Sequence, residues 1–172
     1  IAGNWKLAIE NYHECYHCST AHPEYSKIHS LRAPEHEAAG LRYELEATET
    51  GVSLETVELS SVDGQEIYYG RHPLYPGYVT GTEDGTAVAP LLGHLTGYDG
   101  GASDYTFGQT SFMLAYSDHL GVYSFKPTGP KDCLLEVSWL VHTEAQEGVD
   151  YNLGRLCWLW AVTSAADKTI IE

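Results

Sequence analysis

Apolar and aromatic positions recur at three- and four-residue spacing near the start of the chain. Trp5, Ala8, Ile9, Tyr12 and Tyr16 predict a helix over Trp5–His17. Pro23 disfavours helical backbone at His22, so that helix should end or distort there. The period then shortens to two. Leu41–Glu46 alternates cleanly and Val52–Leu59 less regularly, and with Glu49, Thr50 and Gly51 between them they predict a hairpin. Glu66–Tyr69 is a further strand candidate. Residues 70–105 are rich in Gly, Pro, Asp and Thr and predict loop with one short strand at Ala87–Leu92. Loops of this length in a compact domain are often functional. Thr110–Tyr116, Leu120–Lys126 and Asp132–His142 predict three more strands, with turns at Asp118-His119 and Thr128-Gly129-Pro130. In the last strand Cys133, Leu135, Val137, Trp139 and Val141 share one face. From about Asp150 the pattern is helical to Glu172, with Leu153, Leu156, Trp160 and Thr163 on one stripe and Cys157 beside it. Helix, antiparallel strands and a long C-terminal helix make an α+β layout, one sheet face packed on the helices.

With 172 residues and 43% hydrophobic positions, the chain can form one domain with its own core. No apolar run approaches the roughly 18 residues of a membrane span, and no signal peptide is visible. Ile1 opens directly into a patterned segment, which predicts a piece of a longer polypeptide. Asp and Glu total 24 against 9 Lys and Arg. That balance argues against nucleic acid and anionic membrane as partners. It suits a cationic substrate or a basic partner, and equally serves ordinary solubility. The four cysteines, with no secretory signal, are expected as free thiols in a cytoplasmic protein. Cys133 and Cys157 sit in apolar patterns and read as small core residues.

Ligand-type side chains are densest between Glu10 and Pro23. An iron–sulfur cluster held by two Cys and two His is one reading. Cys15-Tyr16-His17 supplies a Cys-x-His, but the companion Cys-x-x-His is missing: neither Cys133 nor Cys157 has a His two or three residues later. The chain cannot build that cluster alone. A structural zinc site from Cys15, Cys18, His17 and His22 is a second reading, weakened because Cys15 and His17 fall on opposite sides of a helix. A Cys15-x-x-Cys18 redox pair lacks the usual preceding strand. The remaining reading takes His17 and His22 with a carboxylate from elsewhere, the two-His-one-carboxylate set of non-haem iron(II) oxygenases. Glu14 and His17 share a helix face at i,i+3. His17 and His22 stand about 140° apart on an ideal helix and converge only if the helix breaks between them.

Asn4-Trp5-Lys6, Glu10-Asn11-Tyr12, Glu14-Cys15-Tyr16-His17 and His22-Pro23 together resemble the iron-binding segment of Rieske oxygenase α subunits. The family spacing of acid, two residues, His, four residues, His is matched by Glu14, His17 and His22. The resemblance implies a third ligand on the C-terminal helix, a few residues after a Thr and shortly before a Glu. Thr163, Asp167 and Glu172 fit that pattern, with Asp167 as the ligand. It covers nearly the whole chain and implies a helix-grip fold, an antiparallel sheet around the long C-terminal helix. It further implies that residues 1–172 are the catalytic domain, cut at both ends, with the Rieske [2Fe-2S] domain absent and the isolated piece inactive.

By the same resemblance, Glu14 is the acidic residue bridging a cluster histidine to an iron-ligand histidine, within a homotrimer. Electrons come from NAD(P)H through a separate reductase or ferredoxin, and Fe(II) with dioxygen oxidises a small organic substrate. Glu followed by Cys-Tyr-His-Cys is closest to the choline, glycine-betaine and carnitine monooxygenase branch, which implies hydroxylation or N-demethylation of a quaternary amine. Aromatic-ring dihydroxylation and O-demethylation are the alternatives within the family. A metal-free helix-grip binding module, or a structural zinc protein, are the alternatives outside it. The 13 Tyr and 4 Trp are enough for a cation–π cage, although aromatic residues fill cores as well. Of these, Tyr68, Tyr69, Tyr75 and Tyr78 flank the long loop.

Overall fold

The computed structural model describes residues 1–31, 60–62 and 65–172, together with Glu49, and for residues 60–62 and 65–69 the backbone alone. The hairpin expected at Leu41–Glu46 and Val52–Leu59 lies outside the described residues. Helix α1 covers Trp5–His13, followed by the short helices α2 (Cys18–Ala21) and α3 (Pro23–Ser26). Six strands come next: β1 Ser60–Val62, β2 Gln65–Pro73, β3 Gly101–Phe107, β4 Ser111–Ala115, β5 Leu120–Gly129 and β6 Asp132–Leu140. Helix α4, Leu153–Ile171, closes the chain. Every strand pairs antiparallel with the one before it, giving the sheet order β1-β2-β3-β4-β5-β6.

Helix α1 starts where the Asn4 side chain accepts from the Lys6 amide at 3.0 Å, a conventional N-cap. It ends sooner than the periodicity predicts. Glu14 is extended (φ −104°, ψ 136°), so the helix stops at His13 rather than running through His17. Tyr16, predicted on the apolar stripe, is 95% exposed as a result. The second break falls where expected. His22 leaves the helical region (φ −125°, ψ 69°) before Pro23, which occupies the first turn of α3.

On the inner face of the sheet, Ala102, Phe112, Leu114, Tyr116, Tyr123 and Phe125 are buried together with Leu159, Trp160 and Ile171 of α4 and Ala8 and Ile9 of α1. Trp160 stands edge-on to Tyr123, and Tyr12 of α1 packs its ring on Phe112, Tyr123 and Phe125. The buried stripe of α4 runs through Leu156, Leu159, Trp160, Thr163, Asp167 and Ile171, while Leu153, expected on it, is half exposed. Leu153 precedes the first full turn, where Asn152 caps the helix by accepting from the Arg155 amide at 3.0 Å.

Two further expectations are corrected. No strand forms at Ala87–Leu92, because its backbone groups are used elsewhere. The Val88 amide donates to Asp118 at 3.0 Å, that of Leu92 to the Ser117 carbonyl at 2.8 Å, and Pro90 has no N–H. Strand β3 begins inside the segment predicted as loop, and β2 runs into that segment as far as Pro73. The buried positions of β3 are Gly101, Ala102 and Ser103, small residues that carry little hydrophobic signal. The segment between β2 and β3 is anchored by the β4–β5 corner. There the fully buried Asp118 accepts from Thr80 at 2.6 Å, and the neighbouring His119 lies 2.8 Å away. Burial pushes the Asp118 carboxyl up, but these bonds outweigh it and hold the group below its usual range.

Candidate metal centre

The α1 break has a chemical consequence. With Glu14 extended and residues 15–17 turning, the Glu14 carboxylate folds back onto the ring that follows it. Glu14 Oε1 is 2.5 Å from His17 Nδ1, and its other oxygen accepts from the Tyr16 amide at 2.8 Å. The His17 imidazole holds the Glu14 carboxyl below the usual carboxylate range. The bond places the ring proton on Nδ1, so that Nε2 carries its lone pair outward. The same turn brings the Cα atoms of Cys15 and Cys18 to 4.9 Å, and the two are joined in a disulfide. This corrects the expectation of four free thiols. Cys133 and Cys157 are free. It also removes Cys15 and Cys18 as zinc ligands, since a disulfide offers no thiolate.

His17 caps the start of α2 and His22 ends it, so one short turn separates the two rings. Their Nε2 atoms are 3.1 Å apart. Asp167 reaches them from α4: its Oδ1 is 2.8 Å from His22 Nε2 and 3.3 Å from His17 Nε2. Both His22 and Asp167 are 4% exposed. The three ligand-type residues of the sequence reading thus form a single cluster, drawn from chain positions 145 and 150 residues apart. A metal-free binding module would instead turn these histidines away from one another and leave Asp167 at the surface. Glu172 stays outside the cluster and accepts from the Ala2 amide.

Asn11 belongs to the same cluster. Its Nδ2 donates to Asp167 Oδ1 at 2.7 Å in a buried setting. The reading of the sequence did not single it out, although a signal was present: Asn11 lies three residues from Ala8, on the buried side of α1.

The donor set suits a divalent first-row metal. Imidazole nitrogen and carboxylate oxygen bind such ions at about 2.0–2.2 Å, so two ligands at right angles stand about 3 Å apart. The three separations of 2.8, 3.1 and 3.3 Å have that size. With the His17 proton on Nδ1, the cluster gathers more lone pairs than protons, and a cation relieves the mismatch.

Beside the cluster lies a cavity of about 860 Å³ between α1, α3, α4 and strands β2 to β4. Trp5, Tyr12, Tyr25, Phe112 and Trp160 supply its aromatic lining, whereas Tyr75 and Tyr78 are not among the lining residues. The side chains of Tyr68 and Tyr69 are outside the description. Burial pushes the Tyr12 and Tyr25 hydroxyls up, so both stay protonated as neutral walls.

His17, His22 and Asp167 form a group that could hold a metal ion, on a sheet-over-helix fold, and the comparisons agree on the family. Residues 1–172 match the family described as the ring hydroxylating alpha subunit, catalytic domain, and the chain belongs to it. The glycine betaine monooxygenase oxygenase subunit of Pseudomonas aeruginosa is 32% identical over 177 residues, covering 99% of this chain and 41% of the relative. The protein of the same name from Chromohalobacter salexigens is 33% identical over 178 residues, covering 98% of this chain and 39% of the relative. The chain therefore spans about 40% of the length of these relatives. Among solved structures, the quaternary ammonium Rieske monooxygenase CntA in complex with an inhibitor shares the fold. Its TM-score is 0.53 at 15% identity, over 99% of this chain and 35% of that one. The family brings with it mononuclear iron and a Rieske cluster as cofactors, and the helix-grip expectation is consistent with the shared fold. No described helix is long and apolar enough to cross a membrane.

Proposed function

We propose that this chain is the iron-bearing part of a Rieske-type monooxygenase that hydroxylates or N-demethylates a small quaternary amine. His17 Nε2, His22 Nε2 and Asp167 hold Fe(II). The observation that carries the reading is the convergence of these three donor atoms within 3.3 Å of one another, beside an aromatic-lined cavity. Three protein ligands on one face leave positions for dioxygen and substrate. Iron bound there would supply dioxygen activation; in the overall reaction one oxygen atom enters a substrate C–H bond and the other leaves as water with two electrons and two protons. An N-hydroxymethyl product then releases formaldehyde.

The chain's own residues have distinct tasks. Glu14 fixes the His17 tautomer and, half exposed, offers its carboxylate to a cluster-bearing surface. Asn11 orients Asp167. Tyr12, Tyr25, Phe112 and Trp160 exclude water from the cavity. In the whole protein the electrons come from a [2Fe-2S] cluster in an N-terminal domain, delivered between subunits of a homotrimer in the cytoplasm. That cluster is recharged from NAD(P)H by a reductase or ferredoxin.

The test is metal content after anaerobic reconstitution with ferrous iron, for the parent chain and for His17→Ala, His22→Ala and Asp167→Ala. One iron per parent chain, lost in all three variants, is the expected result. A parent chain that takes up zinc but no iron, or iron binding indifferent to Asp167, would sink the reading.

A further inference from the structure

The cavity has two walls of different character. The helical wall carries the metal-ligand cluster, where Asp167 and Glu14 are both engaged by histidines. The opposite wall is the inner face of the sheet, and there Asp104 of β3 points into the same space. Its backbone is paired with Gly70 on one side and Leu114 on the other, so the position is fixed by the ladder. Its hydrogen-bond partner among the described residues is His72 of β2, with Nε2 3.1 Å from Oδ1. Asp104 remains 30% exposed toward the cavity. Its charge is felt across the gap. It adds to burial in pushing up the Tyr25 hydroxyl on α3, and it works against burial at His13 on α1.

A carboxylate facing an aromatic cavity with one imidazole partner has lone pairs left to meet a cation. The described lining residues offer one lysine, Lys6, which is exposed on α1. A divalent ion with two neutral imidazoles and the Asp167 carboxylate would keep a net charge of +1 at the cluster itself; of the other acids among the described lining residues, Glu10 and Glu14 belong to the α1 side, and Asp104 is the one on the sheet side. A cationic substrate brought close to that centre needs a negative group on the other side. Asp104 stands where that group is required.

We propose that Asp104, held by His72, is the specificity-determining residue that selects a permanently cationic substrate. It faces the ammonium from the sheet wall, while the aromatic rings enclose the methyl groups. The proposal rests on the quaternary-amine reading given above. It separates charge recognition, done by the sheet, from metal binding, done by the helices.

The experiment measures binding of glycine betaine and of 3,3-dimethylbutanoate to the iron-reconstituted full-length protein. The second ligand is the same molecule with carbon in place of the charged nitrogen. Asp104→Asn is expected to weaken glycine betaine at least tenfold while leaving 3,3-dimethylbutanoate within about twofold. Asp104→Glu keeps the charge and is expected to retain the preference for the cation. Iron content and thermal midpoint, unchanged in both variants, verify the fold. If the Asn variant discriminates as well as the parent does, or loses both ligands equally, the assignment of Asp104 is overturned while the quaternary-amine reading survives. If the parent binds 3,3-dimethylbutanoate, which lacks the positive nitrogen, as tightly as glycine betaine, the quaternary-amine reading itself fails, and this proposal with it.

Discussion

At the scale of single residues, the cluster was legible where spacing and chemistry coincide. His17 and His22 stand out because two ligand-type side chains flank a Pro-terminated turn, and Glu14 because it sits three residues before His17. Asp167 needed the family pattern, since one Asp on a long helix is ordinarily solvated. Asn11 escaped notice because an Asn next to Glu10 reads as one more polar helix position; only its burial and its 2.7 Å bond to Asp167 reveal its part. That bond makes a prediction. Removing the donor frees Asp167 to turn and leaves its Oδ1 one partner short. Asn11→Ala should therefore lower iron affinity about 10- to 100-fold, the usual penalty for losing a group that orients a metal ligand. Competition against a calibrated chelator reads this directly, and an unchanged affinity would mean that the packing of α4 alone orients Asp167.

At the scale of elements, the strands β4, β5 and β6 and helix α4 were visible as periodicity, because large apolar side chains mark their inner faces. Strand β3 was not, since its buried positions Gly101, Ala102 and Ser103 are small and carry little hydrophobic signal. The early end of α1 was hidden for a related reason: Tyr16 continues the stripe in sequence while Glu14 leaves the helical region. The joint between α3 and the sheet is also polar. His29 is fully buried, with Nδ1 3.1 Å from the Tyr25 carbonyl and Nε2 2.8 Å from the Tyr116 hydroxyl, and its ring stacks on Tyr25. Nδ1–H donates to the carbonyl and Nε2 accepts from the hydroxyl, so the neutral ring satisfies both partners. Burial pushes the group down to about 3, from an ordinary 6.5. The unfolded chain therefore takes up a proton first as pH falls, and it binds more protons than the folded chain between those values. Stability from this site is full above pH 6.5 and drops below it, by up to about 1.4 kcal/mol per pH unit. Denaturant titrations at pH 7.5, 6.5 and 5.5 should show a steeper decline for the parent than for His29→Gln. Gln also donates and accepts but does not titrate. Parallel slopes would count against the neutral buried histidine.

At the scale of the whole molecule, the antiparallel sheet around α4 was expected, but the contacts that close it were not. That closure depends on contacts such as Trp160 with Tyr123, far apart in sequence, and on the Asp118 corner that ties down the segment after β2. The cluster of His17, His22 and Asp167 is part of the same closure. It joins α4 to the segment that follows α1, across 145 to 150 residues, and it does so with three donor atoms and few protons between them. An ion bound there is held by the folded chain alone, because unfolding scatters the ligands. Folding and metal binding are then linked by mass action. A hundredfold excess of ferrous iron over its dissociation constant adds about 2.7 kcal/mol, which for a domain of this size is roughly 5–10 °C in the thermal midpoint. Chelation should reverse that rise in the parent. Asp167→Asn removes the charged ligand but keeps the shape of the side chain, so its midpoint should not respond to either iron or chelator. A midpoint that rises equally with iron in both proteins would place the stabilising ion somewhere other than between α2 and α4.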